Sequence, residues 1–284
     1  MIFDKNNTII GSEGKKMASD FIFDEEKKNL PILIYTHGFN GFKDWGNFDL
    51  IAEKFAEAGF FVVKYNLSHN GTRIEQPEDF CDLEAYRKNT YSKEVFDLQQ
   101  VIETIFEKDF KYAAKINTSK VNLLGHSRGG AISILAGQDK RIQKIITWAS
   151  ISSCTSPWKN FSAEKMQAWK EQSFFSYENK RTQQQMPIDY SLFLDYIENQ
   201  KQLDVKTAVS SMKKSMLFIH GRNDDAVHYS ASEELHESNK TYSTLLLCEG
   251  NHVFGRQHPW LENYLPQESI FIVEESIEFL KYET

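Results

Sequence analysis

Cysteine is scarce in this 284-residue sequence, which contains three: Cys81, Cys154 and Cys248. They are odd in number and widely spaced, and no two of them form a C-x-x-C pair. This usage argues against a disulfide framework and favours reduced, mostly buried thiols. His252 could share a metal with Cys248 or His258, but a third and a fourth ligand are missing at useful spacing, so we expect no metal site.

Long apolar runs and clusters of positive charge are also missing. The first 21 residues, MIFDKNNTIIGSEGKKMASDF, have neither a basic start nor an uninterrupted apolar stretch. We therefore expect no signal peptide, no membrane anchor and a cytoplasmic protein. The 33 Lys and Arg residues against 40 Asp and Glu residues give a net charge of −7. Because no stretch concentrates basic side chains, we expect neither nucleic acid nor a membrane as a partner.

Short apolar runs alternate with longer amphipathic runs along most of the chain. The short runs are typical of strands buried on both faces of a parallel sheet, and they cover residues 30–38, 59–66, 120–127, 143–150, 214–221 and 242–250. The amphipathic runs predict crossover helices over residues 47–59, 92–109, 128–138 and 230–240. An antiparallel hairpin at the start and a helix at the end complete the pattern. It predicts an α/β fold with a doubly wound, mostly parallel sheet.

Two segments, residues 67–91 and 151–213, supply no strand to this sheet. The second is rich in aromatic and polar residues and can fold as a few helices over the strand ends. Ligands of open α/β sheets bind beyond the carboxyl ends of the strands, so an insertion there can act as a cap. We therefore predict a core of residues 1–150 and 214–284 with a cap of residues 151–213; the alternative is a surface embellishment without substrate contact.

Ser127 lies between two glycines in the sequence GHSRGG, directly after a predicted strand and before a predicted helix. This context matches the G-x-S-x-G nucleophile elbow, in which glycines permit a tight turn that exposes the serine hydroxyl. The alternative is a glycine-rich helix start with a capping serine. The motif and its flanks favour a catalytic nucleophile.

A nucleophilic serine needs a base and an acid, which are expected later in the chain on loops that follow strands. His252 follows the last predicted strand and is our candidate base. The acid is Asp224 or Asp225, and the spacing from Gly221 favours Asp224. The other histidines in the carboxyl half and at the elbow are expected to make buried hydrogen bonds (His126 and His220) or to lie at the surface (His228, His236 and His258).

Acyl transfer also needs hydrogen-bond donors for the developing oxyanion. The backbone N–H of Arg128, directly after the serine, is one candidate donor. The second is the backbone N–H of Phe39 in the sequence YTHGFNGF, which follows an early predicted strand. An ordinary glycine turn is the alternative interpretation of that loop.

The sequences THGFNGFKDW, GHSRGG, HGRNDDAV and GNHVFG, in this order, resemble an α/β-hydrolase of the dienelactone-hydrolase-like or serine-peptidase-like esterase group. The resemblance covers the chain except its two insertions. It implies a serine ester hydrolase without metal or organic cofactor, and its pattern G-x-x-D-x-x-V assigns the acid to Asp224. Dienelactone hydrolases proper carry cysteine where this chain has Ser127, so their lactone activity is not implied. Dehalogenases and epoxide hydrolases carry aspartate there and are excluded.

The expected activity is hydrolysis of a small or medium carboxylic ester or thioester, with residues 151–213 shaping the pocket. Because the same triad cleaves amides, an acyl-aminoacyl peptidase or amidase is one alternative. A binding module that has lost its chemistry is another, although all three triad positions are filled. The sequence indicates neither the particular substrate nor an oligomeric state.

Overall fold

The computed structural model describes residues 1–282, and within them ten strands and nine helices follow one another. The strands are β1 (Ile2–Ile10), β2 (Lys16–Phe23), β3 (Leu30–Thr36), β4 (Phe61–Tyr65), β5 (Ile116–His126), β6 (Ile142–Trp148), β7 (Phe174–Glu178), β8 (Gln185–Asp189), β9 (Ser215–Gly221) and β10 (Ser243–Cys248). The helices are α1 (Phe48–Glu57), α2 (Leu83–Arg87), α3 (Tyr91–Phe106), α4 (Arg128–Ala136), α5 (Ala163–Gln172), α6 (Ser191–Glu198), α7 (Val205–Ser211), α8 (Ser230–Ser238) and α9 (Gln267–Lys281).

Eight strands form one sheet in the order β1-β2-β4-β3-β5-β6-β9-β10. The six strands from β4 to β10 are parallel, whereas β1 and β2 form an antiparallel hairpin that joins the sheet through β4. The doubly wound, mostly parallel α/β fold predicted from the apolar runs is therefore confirmed. The hairpin at the sheet edge and the final helix also form where the sequence predicts them.

Helices cover both faces of the sheet and bury its apolar side chains. On one face, α1 and α9 pack on strand residues such as Leu33 and Ile219. On the other face, α3, α4, α7 and α8 cover residues such as Ile34 and Phe218. Because apolar side chains cover both faces of the sheet, a ligand-binding site is expected at the carboxyl ends of the strands. None of the helices within residues 1–282 combines the length and the apolar character needed to cross a bilayer.

The segment 151–213 contains α5, the hairpin β7–β8, α6 and α7. The expectation of helices alone is therefore incomplete. In β7 the sequence FFSYE alternates between half-buried and exposed side chains, a strand period that its aromatic content favours. At the end of the segment, α7 packs against α4 and α8 on the face of the sheet.

Five charged side chains form a cluster beside β2 and β4. Asp20 and Lys64 are direct neighbours across these strands, and both are almost completely buried. Asp20 Oδ2 accepts hydrogen bonds from Lys43 Nζ at 2.8 Å and pairs with Lys64 Nζ at 3.2 Å. Asp44 contacts both lysines, and Asp49 contacts Lys64. The three carboxylates lie close enough to hold a cation, but Lys43 and Lys64 balance two of their charges, and Lys5 pairs with Asp49 at 2.5 Å.

Replacing Asp20 by Ala should destabilise the fold by about 3–5 kcal/mol, because Lys43 and Lys64 would lose a buried counter-charge. Urea unfolding followed by circular dichroism measures this change. Asp24→Ala is the control, since the Asp24 carboxylate lies at the surface and pairs with Lys27 at 3.5 Å. Equal midpoints for the two variants would contradict a structural role for the cluster.

Candidate active site

Ser127 forms the turn between β5 and α4, and its backbone has φ 55° and ψ −121°. A residue with a side chain rarely adopts this conformation, so the surrounding structure must impose it. The two flanking glycines make that possible. A Cβ atom on Gly125 would lie 2.1 Å from the Gly129 oxygen, and one on Gly129 would lie 2.3 Å from the Thr36 oxygen. The glycines of the GHSRGG motif therefore let β5, α4 and the end of β3 meet closely.

The three predicted triad residues are brought together at the carboxyl ends of β5, β9 and β10. His252 Nε2 lies 3.0 Å from Ser127 Oγ. His252 Nδ1 lies 2.8 Å from Asp224 Oδ2. The side chains thus form one hydrogen-bonded chain from hydroxyl to imidazole to carboxylate, which is the arrangement that activates a serine.

Asp224 is buried, and hydrogen bonds fix its carboxylate. Oδ1 accepts from the backbone N–H groups of Ala226 and Val227 at 2.9 and 2.8 Å, and Oδ2 also lies 3.1 Å from His220 Nε2. Burial alone would raise the pKa of Asp224, but hydrogen bonds from His220 and His252 hold it well below its usual range. Asp224 is therefore charged at neutral pH, whereas the Asp225 side chain is exposed.

Two further histidines support this arrangement, as the sequence predicts. His126 Nε2 donates to the backbone oxygen of His252 at 2.8 Å, and burial lowers the pKa of His126 well below its usual value. The neutral ring thereby holds the loop that carries His252. His220 is fully buried, and its Nδ1 lies 2.7 Å from Ser232 Oγ. Both rings contact the residues predicted as base and acid: His126 holds the loop of His252, and His220 contacts the carboxylate of Asp224.

The candidate oxyanion donors come from two elements next to Ser127, α4 and the loop after β3. Arg128 is the first residue of α4, where backbone N–H groups lack a partner within the helix and the helix dipole favours negative charge. Phe39 follows β3 in a loop that passes close to the serine. A Cβ atom on Gly38 would lie 3.0 Å from Ser127 Cβ. Within residues 1–282, neither the Phe39 nor the Arg128 N–H has a hydrogen-bond acceptor.

The Arg128 side chain has a structural role that sequence reasoning missed. Its guanidinium carbon lies 4.2 Å from the centre of the Phe39 ring and 4.8 Å from that of Tyr91. Arg128 Nη1 also donates to Glu94 Oε1 at 3.2 Å. Burial raises the pKa of Glu94, and the neighbouring Arg128 opposes that shift. The pair of Arg128 and Glu94 joins α4 to α3, and the Phe39 ring links the loop after β3 to the same guanidinium. No local sequence pattern indicates these contacts.

Asn40, next to Phe39, connects the loop after β3 to the segments 67–91 and 151–213. The hydroxyls of Tyr86 and Tyr177 each lie 2.6 Å from Asn40 Oδ1. Tyr86 belongs to the insertion 67–91, and Tyr177 lies in β7 of the second insertion. Asn40 has φ 58°, a left-handed conformation that asparagine tolerates better than most residues. These two hydrogen bonds hold the loop after β3 against the segments 67–91 and 151–213.

A cavity of about 200 Å³ opens beside Ser127 and His252. Its wall is mostly aromatic and comprises Tyr35, Phe39, Trp45 and Phe48 together with Val253 and the backbone of Gly38 and Gly41. The remaining lining side chains are polar: His37, Asn40, His126, Asn179 and Arg181. Its size and lining suit a small organic molecule.

The chain resembles known proteins in both sequence and structure, although no curated protein sequence matches it. A structure titled "Ferulic Acid bound to Est1E from Butyrivibrio proteoclasticus" has 18% sequence identity and a TM-score of 0.71, covering 96% of this chain and 98% of that one. The α/β-hydrolase GrgF from Penicillium sp. sh18 has 15% identity and a TM-score of 0.73, covering 99% and 98%. Mouse α/β-hydrolase domain-containing protein 10 has 14% identity and a TM-score of 0.68, covering 99% and 98%.

At these identities the structural likeness shows the fold, and it confirms the resemblance to α/β-hydrolases inferred from the motifs. A family model described as BD-FAE matches residues 21–238. This range contains the end of β2, all elements from β3 to β9, Ser127 and Asp224. Because the match covers well over half of the sequence, the chain belongs to the BD-FAE family of the α/β-hydrolase superfamily.

Proposed function

We propose that this protein is a serine hydrolase that cleaves small or medium carboxylic esters or thioesters through an acyl-enzyme intermediate. The observation that carries the proposal is the hydrogen-bonded chain from Ser127 through His252 to Asp224. Membership in the BD-FAE family and the fold shared with the esterase Est1E support ester hydrolysis in general. Est1E, which shares this fold at 18% sequence identity, has been determined with ferulic acid bound, so a protein of this fold can hold an aromatic acid.

In the proposed reaction, Ser127 Oγ attacks the carbonyl carbon while His252 Nε2 takes the hydroxyl proton. The charged Asp224 holds the imidazole and stabilises the imidazolium that forms. The N–H groups of Phe39 and Arg128 donate to the oxyanion of the tetrahedral intermediate. His252 then returns the proton to the departing alcohol or thiol. Water then attacks the acyl-enzyme carbonyl while His252 takes its proton; the bond to Ser127 Oγ breaks, the carboxylic acid leaves, and His252 returns the proton to Ser127 Oγ.

The insertion 151–213 is proposed to act as a cap over this site. Asn179 and Arg181, from the loop between β7 and β8, line the same cavity as Ser127. Tyr177 in β7 contacts Asn40 beside the proposed oxyanion donor. The cap would thus contribute both a wall of the acyl or alcohol pocket and support for the oxyanion loop.

Ser127→Ala should abolish ester hydrolysis, leaving below about 1% of wild-type kcat/KM, because triad members act as a unit. A fluorophosphonate probe reacts only with an activated serine and should label the wild type but not this variant. Ser152→Ala is a matched control beyond β6, since its hydroxyl donates to Glu234 rather than to a base. Substantial turnover or labelling of folded Ser127→Ala would assign the nucleophile elsewhere.

The neighbouring carboxylates should differ sharply in their effect on rate. Asp224→Asn should lower kcat by roughly 10⁴, because an amide leaves the histidine in the wrong tautomer. Asp225→Asn should lower it less than about tenfold, since an exposed charge outside the triad contributes little. Steady-state kinetics of both variants with one substrate at one pH provide the comparison. The reverse ranking would identify Asp225 as the acid.

A screen of para-nitrophenyl esters of increasing acyl length beside aminoacyl amides tests the reaction class. We expect turnover of esters with short or medium acyl groups, because the cavity is small and mostly apolar. Faster cleavage of the amides would favour the peptidase alternative. A wild-type protein that neither hydrolyses an ester nor reacts with the fluorophosphonate would favour a binding module.

A further inference from the structure

The cavity beside Ser127 contains one permanently charged side chain among the described residues, that of Arg181. No Asp or Glu within residues 1–282 lines it. Burial lowers the pKa of His37 to about 4 and that of His126 well below its usual value, so both rings are neutral at physiological pH. The one permanently charged lining side chain among residues 1–282 is therefore positive, in a protein whose net charge is −7.

Arg181 is oriented by aromatic side chains rather than by a carboxylate. Its guanidinium carbon lies 5.7 Å from the ring centres of both Phe42 and Phe80. Partial burial lowers the pKa of Arg181, and the nearby Asp79 acts in the opposite direction. Among residues 1–282, however, no carboxylate pairs with Arg181 and no acceptor takes a hydrogen bond from its side chain. The guanidinium remains charged, and its donors are available to a ligand.

Two other arginines near the site pair with carboxylates of the chain. Arg128 pairs with Glu94, as described above. Arg87 donates to Asp189 Oδ2 at 2.9 Å and stacks on the Phe174 ring, which also belongs to the second insertion. The segment 151–213 thus supplies a carboxylate partner to Arg87, whereas among residues 1–282 its own Arg181 lines the cavity without one. That difference indicates a binding role for Arg181.

We propose that Arg181 selects esters that carry a carboxylate at a distance from the scissile carbonyl. This inference rests on the proposed ester hydrolysis and names its substrate class. The planar guanidinium fork matches a carboxylate in a bidentate arrangement. The aromatic wall formed by Phe39 and Trp45 would contact the apolar part of the same molecule.

Matched ester pairs test the proposal on both sides of the scissile bond. For the acyl side, para-nitrophenyl hexanoate and octanoate are compared with the para-nitrophenyl half-esters of adipic and suberic acid. For the alcohol side, para-carboxyphenyl acetate is compared with its methyl ester. We expect wild-type kcat/KM to favour the carboxylate on one side by about tenfold; the gain is limited because Arg181 is an exposed residue.

Arg181→Gln should lower the ratio of carboxylate to neutral kcat/KM by about the same factor. Arg181→Lys should recover part of it, because lysine keeps the charge but loses the bidentate fork. Lys180→Gln is the matched control: it removes an exposed positive charge from the adjacent position outside the cavity and should leave the ratio unchanged. An equal ratio in wild type and Arg181→Gln, with neutral esters hydrolysed normally, would overturn the inference while leaving the proposed function intact.

A binding measurement separates this inference from catalysis. Calorimetric titration of Ser127→Ala with the suberic half-ester needs no turnover, and adding Arg181→Gln should weaken binding about tenfold. Weakened binding without esterase activity would support Arg181 as an anion-binding residue and reject the proposed reaction. Equal binding by the two variants would reject the role of Arg181 whatever the esterase assays show.

Discussion

The backbone turn at Ser127 places a non-glycine residue at φ 55°, a conformation that costs on the order of 1–3 kcal/mol. Several hydrogen bonds hold it there: Ser127 N–H donates to the Trp148 oxygen at 2.8 Å, and the Ser127 oxygen accepts from Gly130 N–H at 3.0 Å. The close approach of Gly129 to Thr36 locks the same turn against β3. The geometry of the triad and of the candidate oxyanion donors depends on this constraint, because it sets where the hydroxyl points relative to both.

The loop after β3 has to stay close to that turn, and charged and polar groups far apart in sequence keep it there. At one end, Lys43 pairs with buried Asp20 in β2. In the middle, Asn40 meets Tyr86 and Tyr177, while the Phe39 ring covers the guanidinium of Arg128. Such buried pairs contribute little net stability, but losing one partner is costly, so they specify one loop conformation. A preorganised N–H group at Phe39 is what oxyanion stabilisation requires.

Local patterns in the sequence were enough to predict the sheet, the elbow and the approximate positions of Asp224 and His252. Those features depend on short-range spacing: apolar runs mark strands, and the glycines around Ser127 mark a tight turn. The pairing of Arg128 with Glu94, and of Asn40 with Tyr177, joins residues more than thirty positions apart. Nothing in the local sequence distinguishes these polar residues from solvated ones. Long-range partners therefore had to come from the structure.

His258 is a second residue whose surroundings could not be predicted from the local sequence. Its polar surroundings in the sequence predict a surface residue, but the ring is only partly exposed and Nδ1 accepts from the Gly46 N–H at 2.9 Å. The ring also stacks on Trp45, which lines the cavity. In β7, likewise, alternating burial of aromatic side chains forms a strand where helices were expected. In both cases, tertiary contacts rather than the local sequence determine the structure: the partial burial of His258 and the strand conformation of β7.

The proposed catalytic residues and the proposed anion-binding residue lie in different parts of the chain, and this separation affects how an anionic substrate could be selected. The proposed reacting groups lie at the ends of core strands, whereas Arg181 lies on a loop of the second insertion. With a net charge of −7, the protein as a whole repels an anion at long range, but this repulsion is screened beyond about 8 Å at physiological ionic strength. Within that distance a ligand in the cavity is close to Arg181, the one permanently charged lining side chain among residues 1–282. Selectivity for a carboxylate should therefore arise after encounter, through slower dissociation, rather than through faster association.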